Sequence, residues 1–220
     1  PGVKLDIPFI GEADKEDLIY ACEHGGEFIA LSFVNSADDV LEAKALLKEH
    51  GREDFQIICK IESALGIENL ESILDVSDGI MVARGDLGTE IPSELVPIEQ
   101  KKMIKACRRR NKICVVATEM LETMMENARP KRAETSDIAN AVLDGTDAVM
   151  LSGETTMGKH PIETVAAMAR ICEVTEKYAE YNIVEETRLV NNARDAIATA
   201  VVDTANRLNA KLITTATVHG

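Results

Sequence analysis

Five short apolar runs recur along this chain, and a helical pattern follows each of them. The runs are Phe28–Phe33, Phe55–Ile61, Gly79–Ala83, Ile113–Thr118 and Asp147–Leu151. They begin about 30 residues apart, the length of one βα unit. Parallel neighbours need a crossover of helical length, so this rhythm predicts a parallel sheet. The patterns predict helices over Lys15–His24, Ser36–Gly51, Ile67–Leu74, Pro97–Arg110, Glu134–Leu143 and His160–Glu180. Ser36 is expected to cap its helix, with Asp38 and Asp39 in the first turn where the helix dipole favours them.

Nearly every run ends in polar residues: Ser32, Lys60 with Glu62, Arg84 with Asp86, Thr118 with Glu119, and Ser152 with Glu154. In (β/α) barrels the chemistry is contributed by several strands at their C-terminal ends, which is this pattern. In a doubly wound sheet the same residues would be ordinary solvated strand ends, but no GxGxxG follows the first run, which disfavours a dinucleotide fold. Neighbouring parallel strands lie about 4.8 Å apart. Glu62 and Asp86, leaving adjacent strands, would then share one hard divalent cation with Lys60 beside it, a site suited to an anionic, oxygen-rich small molecule. Taken alone, Lys60 and Glu62 are two apart on a strand and serve equally well as a surface pair.

Charge and cysteine usage narrow the classes. A net charge of -14 argues against nucleic acid or an anionic membrane surface as partner. No apolar run approaches the roughly 20 residues of a membrane-spanning helix. Cys22, Cys59, Cys107, Cys114 and Cys172 form no CxxC and read as buried thiols of a cytosolic protein. His24, His50, His160 and His219 share no spacing and read as surface or capping groups. Met120, Met124 and Met125 read as gap-filling core, and Arg108-Arg109-Arg110 as dipole compensation at a helix end.

Larger blocks carry a family likeness. Pro1-Gly2-Val3, Ser32-Phe33-Val34, Lys60-Ile61-Glu62, Ser77 through Gly88, Ala117-Thr118, Arg132-Ala133-Glu134 and Asp144 through Thr155 stand in the order and spacing of pyruvate kinases, and the chain resembles that family over nearly its whole length. The resemblance implies a partial TIM (β/α)8 barrel of about five βα units in residues 1–181. A linker at 182–192 and the start of an α/β C-terminal domain at 193–220 would follow, with Ala193–Leu208 a helix and Lys211–Thr215 a new strand.

The resemblance also implies phosphoryl transfer from phosphoenolpyruvate to ADP, giving pyruvate and ATP. Glu62 and Asp86 would hold Mg²⁺ or Mn²⁺. Lys60 would meet the phosphoryl group in flight. Gly85, lacking a Cβ, would let its own N–H and that of Asp86 approach the substrate carboxylate. Thr118 would bind the same end of the substrate, near the face where the enolate is protonated. Ser32, Arg84, Ser152 and Glu154 would stand behind these groups. Potassium, a cytoplasmic setting and a homo-oligomer, tetrameric when intact, are further expectations. Glu119 and Asn35 depart from the Gln and Arg usual in the family, which touches the substrate's surroundings and subunit contacts rather than the metal site.

The expectation for these 220 residues is a truncated chain, inactive alone and, with unpaired strand edges, inclined to dimerise. The alternatives are a metal-dependent aldolase or lyase acting on pyruvate-type enolates and a non-catalytic fragment.

Overall fold

All five apolar runs form strands: β1 (Phe28–Leu31), β2 (Gln56–Ile61), β3 (Gly79–Ala83), β4 (Ile113–Ala117) and β5 (Ala148–Met150). They make one sheet in the order β1-β2-β3-β4-β5, every neighbouring pair parallel. A sheet that adds each new strand beside its predecessor has the single winding of a (β/α) barrel, not the reversed order of a dinucleotide fold. The computed structural model describes residues 7–179, which belong to one unit, and 193–215, which belong to another.

In the first unit the helices are α1 (Glu12–His24), α2 (Ala37–Glu49), α3 (Ala64–Glu68), α4 (Leu70–Val76), α5 (Arg84–Glu90), α6 (Val96–Arg110), α7 (Arg132–Asp144), α8 (Gly153–Thr156) and α9 (Pro161–Tyr178). Ser36 caps α2 as expected. Its hydroxyl accepts the Asp39 N–H, and the Asp39 carboxylate accepts the Ser36 N–H in return. Two helices differ from expectation. The single helix predicted over Ile67–Leu74 is two, α3 and α4, meeting at Asn69, whose side chain donates to the Asn35 carbonyl at 2.7 Å. α5 was not expected, because Arg84-Gly85-Asp86-Leu87-Gly88 carries two glycines and little apolar surface; β3 runs into it without a loop.

The sheet's two faces bury different material. Ile57, Cys59, Ile61, Ile80, Val82, Cys114 and Val116 point toward the helices and pack with Leu47, Ile73, Leu74, Met103, Ile104 and Ile138 in the main core. Alternate residues Ile58, Met81 and Ala117 form a smaller cluster on the opposite, barrel-interior face, with Ile113, Val115 and Met150 against it. Lys60 shares that inner face with Ile58, opposite Met81 in register. Met120 and Met124 are buried in the main core, as the sequence suggested.

Polar side chains fix where strands begin. The Asp78 carboxylate accepts the Ile57 N–H and the Asp147 carboxylate accepts the Cys114 N–H, each at 2.8 Å. Ser77-Asp78-Gly79 and Thr146-Asp147-Ala148 thus tie each strand to its neighbour in the same way. At Gly79 the packing leaves no room for a side chain, since a Cβ there would stand 2.5 Å from the Ile113 carbonyl.

In the second unit α10 (Ala193–Arg207) matches the expected helix. Lys211–Thr215, expected as a strand, is irregular and exposed. A strand needs a hydrogen-bonded neighbour, and α10 is the one regular element among the described residues of that unit. The expected linker at 182–192 and His219 lie outside the described residues.

Candidate active site

Glu62 follows β2 immediately and is fully buried. Its Oε2 accepts the Phe33 N–H at 2.6 Å, which reaches back to the exit of β1. Its Oε1 forms an ion pair with the Lys60 ammonium at 2.8 Å. Lys60 Nζ also donates to Ser32 Oγ at 2.8 Å. Ser32, Lys60 and Glu62 therefore form one group across the β1 and β2 exits. Phe33 sits at φ 52°, a left-handed conformation uncommon outside glycine. Its N–H is taken by Glu62 and its carbonyl accepts from Asn35 Nδ2, so local partners hold it there.

The β3 and β4 exits form a second group. Thr118 (φ 67°) and Glu119 (φ 53°) are consecutive left-handed residues immediately after β4. A β-branched residue in that region is a true outlier, and such conformations cost about 1–3 kcal/mol each. The buried Arg84 guanidinium is wrapped around this turn. Nε and Nη2 donate to the Thr118 carbonyl at 3.1 and 2.7 Å, and Nη2 donates to the Glu119 carbonyl at 2.8 Å. On its other side Nη1 pairs with Asp137 Oδ2 at 2.6 Å. Thr118 Oγ1 donates to the Ala117 carbonyl and accepts the Gly85 N–H, both at 2.7 Å. The Gly85 amide, expected to face a ligand, is thus engaged by Thr118 in this state. A Cβ on Gly85 would come within 3.4 Å of that same hydroxyl.

A third brace comes from β5. Glu154, at the start of α8, is buried and accepts the Leu121 N–H at 3.0 Å and the Ser152 N–H at 2.7 Å. Glu134 does similar work further out. It accepts from the Thr123 N–H at 2.7 Å, the Thr123 hydroxyl, and the Lys131 N–H at 2.8 Å. Burial pushes its pKa up, but the bonds from Thr123 and Lys131 outweigh this and hold it below the ordinary carboxylate value. Ser152 lends its backbone to this network; its carbonyl accepts from Thr155 and Thr156.

No group of three or more His, Cys, Asp or Glu side chains stands close enough to hold a metal ion among the described residues. The donors that do exist suit a hard, oxygen-loving ion that keeps most of its ligands as water or substrate. They are Oε1 of Glu62, whose partner is the Lys60 ammonium, and the exposed carboxylate of Asp86, which makes no hydrogen bond or ion pair among the described residues. The β2–β3 register sets Ile61 opposite Val82, so Glu62 and Asp86 leave the same end of the sheet from adjacent strands. Sequence reasoning located these residues but missed Asp137, Gln100 and the Phe33 amide. Each partner is 16 to 53 residues from the group it touches, and no local pattern announces it.

Comparisons with known proteins identify the family. The family model described as pyruvate kinase, barrel domain, matches residues 1–165. A pyruvate kinase of Bacillus licheniformis is 47% identical across the whole chain, which covers 38% of that protein. One of Clostridium perfringens is 46% identical over 99% of the chain and 46% of its own length. One of Geobacillus stearothermophilus is 48% identical, again with 38% of its length covered. The chain spans less than half the length of these relatives, and over the stretch it shares with them it belongs to the pyruvate kinase family.

Proposed function

We propose that this chain carries the metal and enolate side of a pyruvate kinase centre, in which a phosphoryl group passes from phosphoenolpyruvate to ADP to give pyruvate and ATP. The observation that carries the reading is Glu62, a fully buried carboxylate with one oxygen held by the Phe33 N–H and the other ion-paired to Lys60 at 2.8 Å, while the exposed Asp86 carboxylate leaves the same end of the sheet from the next strand. A Mg²⁺ or Mn²⁺ ion held by Glu62 and Asp86 would supply Lewis acidity toward the enolate oxygen.

The chain's own groups do the rest. Lys60, kept in place by Ser32, presents a compact cation where phosphoryl oxygens gather charge. Thr118 and Gly85 bring a hydroxyl and an amide together; here the amide donates to the hydroxyl and the hydroxyl to the Ala117 carbonyl, and both would turn to the carboxylate end of the substrate on binding. That hydroxyl would begin a proton relay to the enolate carbon. Adenine-nucleotide binding, a requirement for potassium, assembly into a homo-oligomer and a cytoplasmic setting belong to the same proposal. The polypeptide as given is expected to be inactive alone.

Calorimetric titration of Mn²⁺ with oxalate, an enolate mimic, into the chain and into Glu62→Gln tests the reading. Saturable binding that disappears in the variant supports it. Equal binding in both sinks the assignment of Glu62, and binding in neither sinks the claim that this stretch holds a working metal site.

A further inference from the structure

Among the described residues the β4 exit holds two consecutive left-handed non-glycine residues, one of them β-branched, and it is also the segment that carries Thr118. Such a turn persists only if its surroundings over-determine it. What holds it is a side chain from the neighbouring strand: three of Arg84's donated hydrogen bonds go to the Thr118 and Glu119 carbonyls, and Nη2 also lies 2.9 Å from Met120 Sδ. The guanidinium is buried, so these bonds are made away from competing water. Asp137 supplies its counter-charge from α7 and Gln100 touches it from α6.

We propose that Arg84 is a positioning residue, fixing where the Thr118 hydroxyl and the Gly85 amide stand at the β4 and β3 exits, so that the two donors, paired with each other here, turn together to the carboxylate of the ligand on binding. The inference rests on the functional reading above and deepens it. Arg84 and Gly85 are consecutive, so the residue that grips the Thr118 carbonyl also begins the helix whose next N–H meets the Thr118 hydroxyl. Arg84 and Gly85 thus hold both ends of Thr118 from one short stretch of β3–α5. Only a planar fork reaches two successive carbonyls and a carboxylate at once; an ammonium cannot.

Amide hydrogen exchange and oxalate titration on this chain test the proposal together. Arg84→Lys keeps a positive charge beside Asp137 but removes the fork. Gly85 exchange is expected to accelerate at least about tenfold. Oxalate affinity at saturating Mg²⁺ is expected to fall about tenfold, while Mg²⁺ alone binds within about twofold of the unmodified chain. Asp137→Asn keeps the fork on the carbonyls, so Gly85 exchange and oxalate affinity are expected to stay within about threefold.

A lower melting temperature for Arg84→Lys, with Gly85 exchange and oxalate affinity unchanged, overturns the proposal. If the unmodified chain binds no oxalate, the functional reading fails, and Gly85 exchange in Arg84→Lys still decides whether Arg84 sets Thr118. If Arg84→Lys does not fold, the Arg84 Nε–H signal of the unmodified chain decides. A shift on adding Mg²⁺ and oxalate, in step with Gly85, supports the coupling, and an unresponsive Nε–H rejects it.

Discussion

Glu154 Oε1 accepts the Leu121 N–H at 3.0 Å, joining the exit of β5 to the exit of β4 through a buried carboxylate. Its second oxygen closes on the Ser152 N–H, so removing the side chain strands two backbone donors at once. Glu154→Ala is expected to lower unfolding stability by about 2–4 kcal/mol. Urea unfolding of the two proteins measures it. An effect under about 0.5 kcal/mol would mean that water replaces the carboxylate at no cost.

Glu134 gives the fold an acid sensitivity of known sign. Although burial pushes it up, its folded pKa lies below the ordinary glutamate value, because hydrogen bonds from Thr123 and Lys131 favour the charged form. A depressed carboxylate contributes stability that is present above its unfolded pKa and is lost as pH falls through the folded value. Melting temperatures taken between pH 6 and pH 3 should therefore fall more steeply for the unmodified protein than for Glu134→Gln. Parallel curves would show that the bonds to Thr123 and Lys131 do not favour ionisation.

Gly79→Ala should be among the most damaging single-methyl additions in the sheet. The new Cβ would lie 2.5 Å from the Ile113 carbonyl and 2.8 Å from the Ile113 Cβ, both belonging to a neighbouring strand. Neither backbone can retreat without breaking the β3–β4 ladder that pairs Gly79 with Ile113. A loss of about 2–4 kcal/mol is expected. Chemical denaturation reads it directly, and a midpoint unchanged from the unmodified chain would refute the close approach.

Thiol chemistry should divide the cysteines in two. Cys59, Cys107 and Cys114 are buried, while Cys22 and Cys172 are partly exposed. Burial pushes the Cys59 thiol up to about 12. The neighbouring Cys114 thiol, together with burial, raises Cys107 as well. Only thiolates react, so a disulfide reagent at pH 8 should label Cys22 and Cys172 in the folded chain and all five cysteines in denaturant. Rapid labelling of Cys59 without denaturant would contradict its burial.

The sheet was legible because all five strands are apolar runs of strand length, and the central one, β3 (Gly79–Ala83), is buried at every position. The acidic and cationic groups of the candidate site were legible because they follow those runs directly. α5 was hidden because it begins at the last polar residues of a strand exit, where Gly85 and Gly88 argue for a loop. Lys211–Thr215 misled in the opposite direction, since its residue types favour a strand but no neighbour completes one among the described residues. The bracing by Arg84, Glu154 and Glu62 was illegible for a further reason. Each is a contact across 29 to 53 residues that exists only once parallel strands are in register.

That register has a consequence for engineering by exchange of parts. Glu62 serves the exit of the preceding strand, while Arg84 and Glu154 both serve the exit of β4 from either side. A single βα unit grafted from a distant homologue would bring its own exit loop but leave that loop's props behind in the host. Chimaeras should therefore tolerate crossover points that transplant β3, β4 and β5 together, and fail when the boundary falls between them. The unit of inheritance in this sheet is the braced block, not the individual stave.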